Sequence, residues 1–306
     1  MGPGEIRERV RGHYNGLADA GVESSPEDRG VAVAAVYGLD LFREVPAAAV
    51  RLSTAVGNPV RVAAIGPGDS VLDFGCGAGL DLILAALAVG EQGRVIGIDI
   101  AERMIERAKE GVAAAGLQNR QIFLRVAAAE EAPIPCNFAS VVIANGLLRF
   151  CPDREAIYRN CFRILKPGGL LVVADYVLSD RPSVDSGGLS GNGAELSFVP
   201  LTPPPPQGGA RGEGENHALN SAALGLSGRW DGELEEIVPA EVHAGILRRM
   251  SFCYVHVAEE LLSEEELARA ILLDPALAPF PSGGADGFSG RLARAMITGM
   301  RPHSGC

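Results

Sequence analysis

Through the middle of the chain, short apolar runs alternate with stretches whose apolar residues recur at helical spacing. The runs at 70–74, 94–99, 121–126, 139–144 and 170–177 have the length and content of buried strands. Between the first two, Leu80 to Val89 is apolar on nearly every side and stops at Gly90. Ala101 to Ala115 is amphipathic, with Met104, Ile105, Ala108 and Val112 on one stripe and Gly116 at its end. A further helix is expected around Asp153 to Leu165, and Lys166-Pro167-Gly168-Gly169 then suits a type II turn into the fifth run. Strand and helix in alternation predict a parallel sheet covered on both faces. In such a sheet the strand ends at 74–75, 99–100, 127–131 and 144–146 open onto one crevice.

The flanks read differently. Residues 5–20 form an amphipathic helical pattern that carries His13 and Tyr14, and from Val31 onward Tyr37-Gly38, Val45-Pro46 and Gly57-Asn58-Pro59 mark turns between short pieces. Between 183 and 229 the composition shifts to Gly, Pro, Ser and Asn, including Pro203 to Pro206, which reads as a flexible insertion. Periodicity returns after Trp230: Val242 to Met250 is helical, Ser251 to Val257 strand-like, and Ser263-Glu264-Glu265-Glu266 opens a helix with a capping box. The expected organisation is a helical lead-in over 1–60, a core over 61–182, the insertion over 183–229 and a C-terminal region over 230–306 that closes over the crevice.

The chemistry concentrates where the first strand meets the first core helix. Asp73-Phe74-Gly75-Cys76-Gly77-Ala78-Gly79 places glycines at alternate positions, so a ligand can approach the backbone amides and the helix N-terminus. A dinucleotide fingerprint needs its third glycine at the sixth position, and here that position is Leu80, so NAD is disfavoured. The second strand ends at Asp99, about twenty residues past the last glycine, where a carboxylate can hold a ribose diol. A nucleoside is therefore the expected ligand.

With 306 residues, 47% of them hydrophobic, the chain can fill a large core. A formal net charge of -11 without a basic stripe argues against nucleic acid as a partner. The charged start of the chain and the lack of any long apolar run point to a cytoplasmic protein with no membrane partner. The six cysteines have no zinc-type spacing, so neither a metal site nor a disulfide framework is expected.

Three segments together, Val71 to Gly79, Gly97-Ile98-Asp99 and Arg163-Ile164-Leu165-Lys166-Pro167-Gly168-Gly169, resemble the class I S-adenosylmethionine-dependent methyltransferases. The resemblance implies a Rossmann-like α/β fold with a mostly parallel seven-stranded sheet, whose last hairpin would lie near Phe252 to Val257 and the C-terminus. Within that group the chain is most similar to the arsenite methyltransferases, through Ser53 to Pro59, Asn145 to Leu148 with Pro152-Asp153, and Ala174 to Leu178. It departs from them at the arsenic-binding cysteines. Val56 stands where that branch has the cysteine of Cys-Gly-Asn-Pro, Gly146 stands where it has that of Ser-Asn-Cys, and no cysteine pair lies near Ser24-Ser25. The acid expected before Ala-Glu is Ala128, which leaves Glu130 or Glu131 as substitutes, and the aspartate that opens the fourth strand is Ser140.

The resemblance implies S-adenosyl-L-methionine as cofactor. Its amino-acid end would lie on Asp73, Gly75, Gly77 and Gly79, its ribose on Asp99, and its adenine near Ala129 and Glu130. Ile100 and Met104 either line that adenine pocket or belong to the core. Asn145 begins the loop facing the methyl group. Methyl transfer depends on alignment and dryness. A hydroxyl or amine acceptor must also lose a proton, for which His13, His243 and His256 are candidate bases, with Tyr14 and Asn145 as further candidate catalytic side chains. The expected activity is methylation of a small organic molecule. Three alternatives stand beside it: a cofactor-binding regulatory homologue, motivated by Ala128 and Ser140; a different reaction of the same cofactor; and arsenite methylation by a rearranged thiol site using Cys151 or Cys253.

Overall fold

Val71 and Leu72 are neighbours in β1 (Ser70–Phe74), yet they bury into two different cores, the period-two signature of a strand covered on both faces. The computed structural model describes residues 2–20, 26–179, 228–230, 235–274 and 292–303. β1 pairs in parallel with β2 (Arg94–Asp99) on one side and β4 (Ala139–Asn145) on the other. β3 (Ile122–Val126) lies beyond β2, and β5 (Leu165–Leu178) beyond β4, again in parallel. Two antiparallel strands complete the sheet: β7 (Leu292–Met300) pairs with β5, and β6 (Cys253–Leu261) pairs with β7. The order is thus β3-β2-β1-β4-β5-β7-β6, the expected seven-stranded mixed sheet with its closing hairpin. The connections turn in opposite directions on either side of β1, and at such a switch point a crevice forms beyond the strand C-terminal ends.

On one face, α3 (Leu80–Val89) and α4 (Glu102–Ala114) cover the sheet, with α2 (Pro26–Tyr37) packed in the same apolar core. α3 has apolar residues on nearly every side because it is buried on nearly every side. On the other face lie α5 (Arg154–Ile164) and α6 (Ala240–Arg249), packed through Ile157, Tyr158, Ile164, Ile246 and Leu247. The Asp153 carboxylate caps α5 by accepting from the Ala156 amide at 2.8 Å. α7 (Glu264–Leu273) opens with the expected capping box, Ser263 and Glu266 satisfying each other's amides.

The lead-in is more helical than its turn signals predict. α1 spans Pro3–Ala20 and α2 runs through Val31 to Tyr37, ending before Gly38 at φ +88°; single helical turns follow at Leu41–Glu44, Ala47–Arg51 and Pro59–Val62. Tertiary burial of Ala32 and Val33 outweighs the weak periodicity. The insertion expected over 183–229 lies outside the described residues, except for Gly228–Trp230, which pairs with Glu235–Ile237 in a two-stranded ribbon. The C-terminal region is part of the sheet, contributing β6 and β7.

Two buried arginines join that region to the rest. Arg29 of α2 donates to the carbonyls of Arg51 at 2.6 Å, Ser53 at 3.1 Å, Leu272 at 2.7 Å and Leu273 at 3.1 Å. Arg149, in the loop after β4, pairs with Asp175 at 3.3 Å and with Asp274 at the end of α7. Its guanidinium also lies 4.6 Å from the Phe150 ring centroid and 5.2 Å from that of Tyr176.

Candidate functional site

The glycine turn after β1 is built around backbone that side chains avoid: Gly75, Gly77 and Gly79 have φ of +70°, +50° and +92°. The amides of Gly75 and Cys76 donate to the Ile98 carbonyl at 2.8 and 3.0 Å, which pins the turn to the end of β2. The Gly77 amide then donates to Asp99 Oδ2 at 2.9 Å, and the Ala101 amide to Oδ1 at 2.9 Å. A Cβ on Gly77 would meet nothing within 4 Å, so the space before this amide is free for a ligand, whereas one on Gly75 would stand 3.1 Å from Leu147.

These residues floor a crevice enclosing about 1030 Å³ of empty space, mouth included. Asp73, Gly75, Gly77, Asp99, Ile100, Met104, Ala129, Glu130 and Asn145 all line it. Gly79 is absent from the lining; it ends the turn as the residue before α3, and a Cβ there would press on Ala108 at 3.3 Å. The roof comes from the N-terminal segment, through Arg7, Val10 and Tyr14 of α1 and residues 52–54. No described residue of the C-terminal region lines the crevice, contrary to expectation, because β6 and β7 extend the far edge of the sheet and α7 packs against α2.

The crevice is acidic and short of donors. Asp73 is 1% exposed and its Oδ2 has no hydrogen-bond partner; burial, with Asp81 and Asp99 nearby, holds its carboxyl well above the usual range. Burial pushes Asp81 up to about 6 even though Asn145 and Tyr37 donate to it. Burial likewise raises Asp99 against its two amide donors. At the opposite end Glu130 is buried, its Oε1 making no hydrogen bond and lying 3.6 Å from Arg7 Nε, while exposed Glu131 accepts from Arg7 at 2.8 Å. The unpartnered Asp73 oxygen and the Glu130 oxygen that makes no hydrogen bond fit a ligand that brings an ammonium and an exocyclic amine, and the acidity of the crevice fits a further positive charge. The free space before Gly77 fits its backbone-held arm. S-adenosylmethionine carries all of these.

Asn145 faces a network that sequence reading missed. Its amide lies 2.9 Å from Asp81 Oδ2, 2.9 Å from the Tyr37 hydroxyl and 2.9 Å from the Gly57 carbonyl, and Tyr37 donates to Asp81 Oδ1 at 2.8 Å. Asp81 was detectable as the single charged residue in an otherwise apolar helix. Tyr37 carries no comparable signal beyond its place before a glycine.

The histidines stand apart from this network. His13 is exposed and outside the lining, edge-on to Tyr14 at 5.2 Å; Tyr14 does reach the crevice and meets Phe150 edge-on at 5.5 Å. His243 is buried against the Tyr158 hydroxyl at 2.7 Å, and burial lowers its pKa to about 3. His256 is exposed on β6 opposite Thr298, also outside the lining.

Three positions at which the sequence is expected to depart from the arsenite branch have clear locations. Ser140 lies at the far end of β4, donating to Asp69 at 2.8 Å and accepting from the Ser70 amide at 3.0 Å, so it ties strand starts together away from the crevice. Val56 and Gly146 are in contact: a Cβ on Gly146 would stand 3.2 Å from Val56 and 2.9 Å from Thr54 Oγ1, and Gly146 has φ +68°. Among the described residues no cluster of metal-binding side chains occurs, and no helix is long and apolar enough to cross a membrane.

Comparison with known proteins assigns the domain. Residues 65–192 match the family described as "Methyltransferase domain". The chain is 32% identical over 217 residues to arsenite methyltransferase of Halobacterium salinarum, covering 64% of this chain and 55% of the relative. It is 37% identical over 116 residues to 27-O-demethylrifamycin SV methyltransferase of Amycolatopsis mediterranei, covering 38% of this chain and 42% of that one. The chain thus spans about half the length of the curated relatives it matches. Geranyl diphosphate C-methyltransferase from Streptomyces coelicolor shares the fold at TM-score 0.53 and 15% identity, over 78% of this chain and 72% of that one. Residues 65–192 thus match a methyltransferase domain, and the sheet around them has the Rossmann-like strand order of the class I methyltransferase fold.

Proposed function

We propose that the protein transfers a methyl group from S-adenosylmethionine to a small organic acceptor. When bound, the cofactor supplies a methyl carbon on a positively charged sulfur, which any correctly aligned nucleophile can take. The observation that carries this reading is the buried Asp73, lacking a donor beside a glycine turn whose Gly77 amide is already fixed on Asp99. Asp73 would take the cofactor's ammonium, Asp99 the ribose, and Glu130, in place of the missing acid at Ala128, the adenine amine. Tyr14, Leu52, Leu147 and Phe150 present an apolar wall that orients the acceptor and excludes water. The location of Ser140, far from the crevice, removes one of the two reasons for reading the chain as a degenerate homologue.

An organic acceptor is favoured over arsenite by the chemistry of the wall. Trivalent arsenic is held by thiolates. Val56 and Gly146 offer no sulfur, and burial raises the Cys76 and Cys151 thiols, which do line the crevice, well above their ordinary value. Incubating purified protein with methyl-labelled S-adenosylmethionine and a panel of phenols, carboxylic acids, amines and reductant-treated arsenite tests the proposal. Label in an organic product with release of S-adenosylhomocysteine is expected. Methylarsenic as the only product, abolished by Cys151→Ser or Cys253→Ser, would overturn it.

A further inference from the structure

Asp73, Asp81 and Asp99 bring three carboxylates into one buried crevice, and among the described residues none of them is ion-paired. Asp99 is held by two backbone amides at 2.9 Å. Asp81 is held by neutral groups alone, the Tyr37 hydroxyl on one oxygen and the Asn145 amide on the other. Neutral donors solvate an anion without cancelling its charge, and at 7% exposure little water screens it. The buried Asp73 oxygen without a donor is a second, independent place in the same crevice where a ligand's positively charged donor would be accommodated, and the lining cation, Arg7, pairs instead with Glu130 and Glu131.

The donor and the spent form of the cofactor differ by one methyl group and one positive charge. Both have the ammonium, the α-carboxylate, the ribose and the adenine, so Asp73, Asp99 and Glu130 meet the same groups in either. The charge that distinguishes them sits on the sulfur between the amino-acid arm and the ribose. Asp81, in the first turn of α3 directly after the glycine turn, lines the same crevice beside Asn145. Resting on the cofactor reading above, we propose that Asp81 is the residue by which this protein prefers the sulfonium donor to its neutral thioether product. Its charge attracts the donor and has no such partner in the product, so it favours exchange of product for fresh donor after each turnover. Tyr37 and Asn145 are positioning residues that hold the carboxylate toward the crevice.

Calorimetric titration of the protein as it stands, and of Asp81→Asn and Tyr37→Phe, with S-adenosylmethionine, S-adenosylhomocysteine and the cationic analogue sinefungin tests this. The readout is the ratio of product to donor dissociation constants. Asp81→Asn should lower that ratio about tenfold, equal to ~1.4 kcal/mol, and lower the sinefungin preference likewise. Tyr37→Phe removes a donor that holds the Asp81 carboxyl down, so all titrations are made at about pH 8.5, where the carboxylate stays ionised; the variant should then preserve the ratio while sharing any packing defect of the site. A ratio that moves by less than about threefold in Asp81→Asn overturns the proposal, as does an equal fall in Tyr37→Phe. Failure of the unmodified protein to bind either cofactor form would instead refute the reading of the crevice on which the proposal rests.

Discussion

Gly146 and Val56 touch: the hydrogen that Gly146 carries in place of a side chain leaves room for Val56, whose methyl carbon would be 3.2 Å from any added Cβ. By the resemblance drawn from the sequence, these are two of the positions at which the arsenite branch is expected to carry cysteine; the fold brings both to one place and the sequence puts no sulfur at either. Gly146 is also held at φ +68°, where a side chain is strained. Gly146→Cys alone should therefore lower stability by about 1–3 kcal/mol, from backbone strain and overpacking together. Chemical denaturation measures it, and an unchanged midpoint would mean that the loop relaxes freely.

Arg149 should matter far more to stability than its surface counterparts. Its side chain and that of Asp175 are each 1% exposed, and Asp274 pairs with the same guanidinium. Arg149→Met would leave Asp175 buried without its paired cation and take from Asp274 one of the two arginines near it, a loss of about 3–5 kcal/mol. Arg269→Met, which removes an exposed pair with Glu265 on α7, should cost less than about 1 kcal/mol. Equal losses in denaturant titrations of the two variants would contradict the role given to Arg149.

The raised Asp81 carboxyl predicts a pH dependence of known sign. Its folded value of about 6 exceeds that of an unfolded aspartate, so between roughly pH 4 and 6 the folded state binds more protons. Asp81 thus destabilises the cofactor-free fold when ionised, and the penalty is relieved as pH falls through 6. A donor cation reverses this by favouring the ionised form. The melting-temperature increment from a fixed concentration of S-adenosylmethionine should be larger at about pH 7.5 than at about pH 5, and Asp81→Asn should flatten the difference. Thermal denaturation at both pH values reads it; the same pH response in the variant and the original would exclude Asp81 as the source.

The core was legible in the sequence because its signals are local. The β1 glycine turn, the end of β2 at Asp99 and the capping box at Ser263 are each specified by a few adjacent residues, and the helix stop at Gly90 appears where expected. What escaped sequence reading depends on residues far apart in the chain. Tyr37 and Asp81 are 44 residues apart, and Asn145 is 64 beyond Asp81, so no spacing rule joins them. The roof over the crevice was assigned to the C-terminal region, whereas among the described residues it comes from α1 and residues 52–54, because helix packing over a crevice is set by tertiary burial and not by periodicity. The histidines illustrate the same limit: residue type marked His13, His243 and His256 as bases, while only the fold puts them outside the lining.

Isothermal titration of S-adenosylmethionine into the protein, Asp99→Ala and Gly77→Val tests the central claim most directly. The unmodified protein should bind at a single site, Asp99→Ala should lose about 1.5–3 kcal/mol of binding free energy, and Gly77→Val, whose side chain would occupy the space before the amide, should not bind. Unchanged affinity in both variants, with the folds intact by circular dichroism, would show that the cofactor does not lie on the glycine turn and would contradict the account.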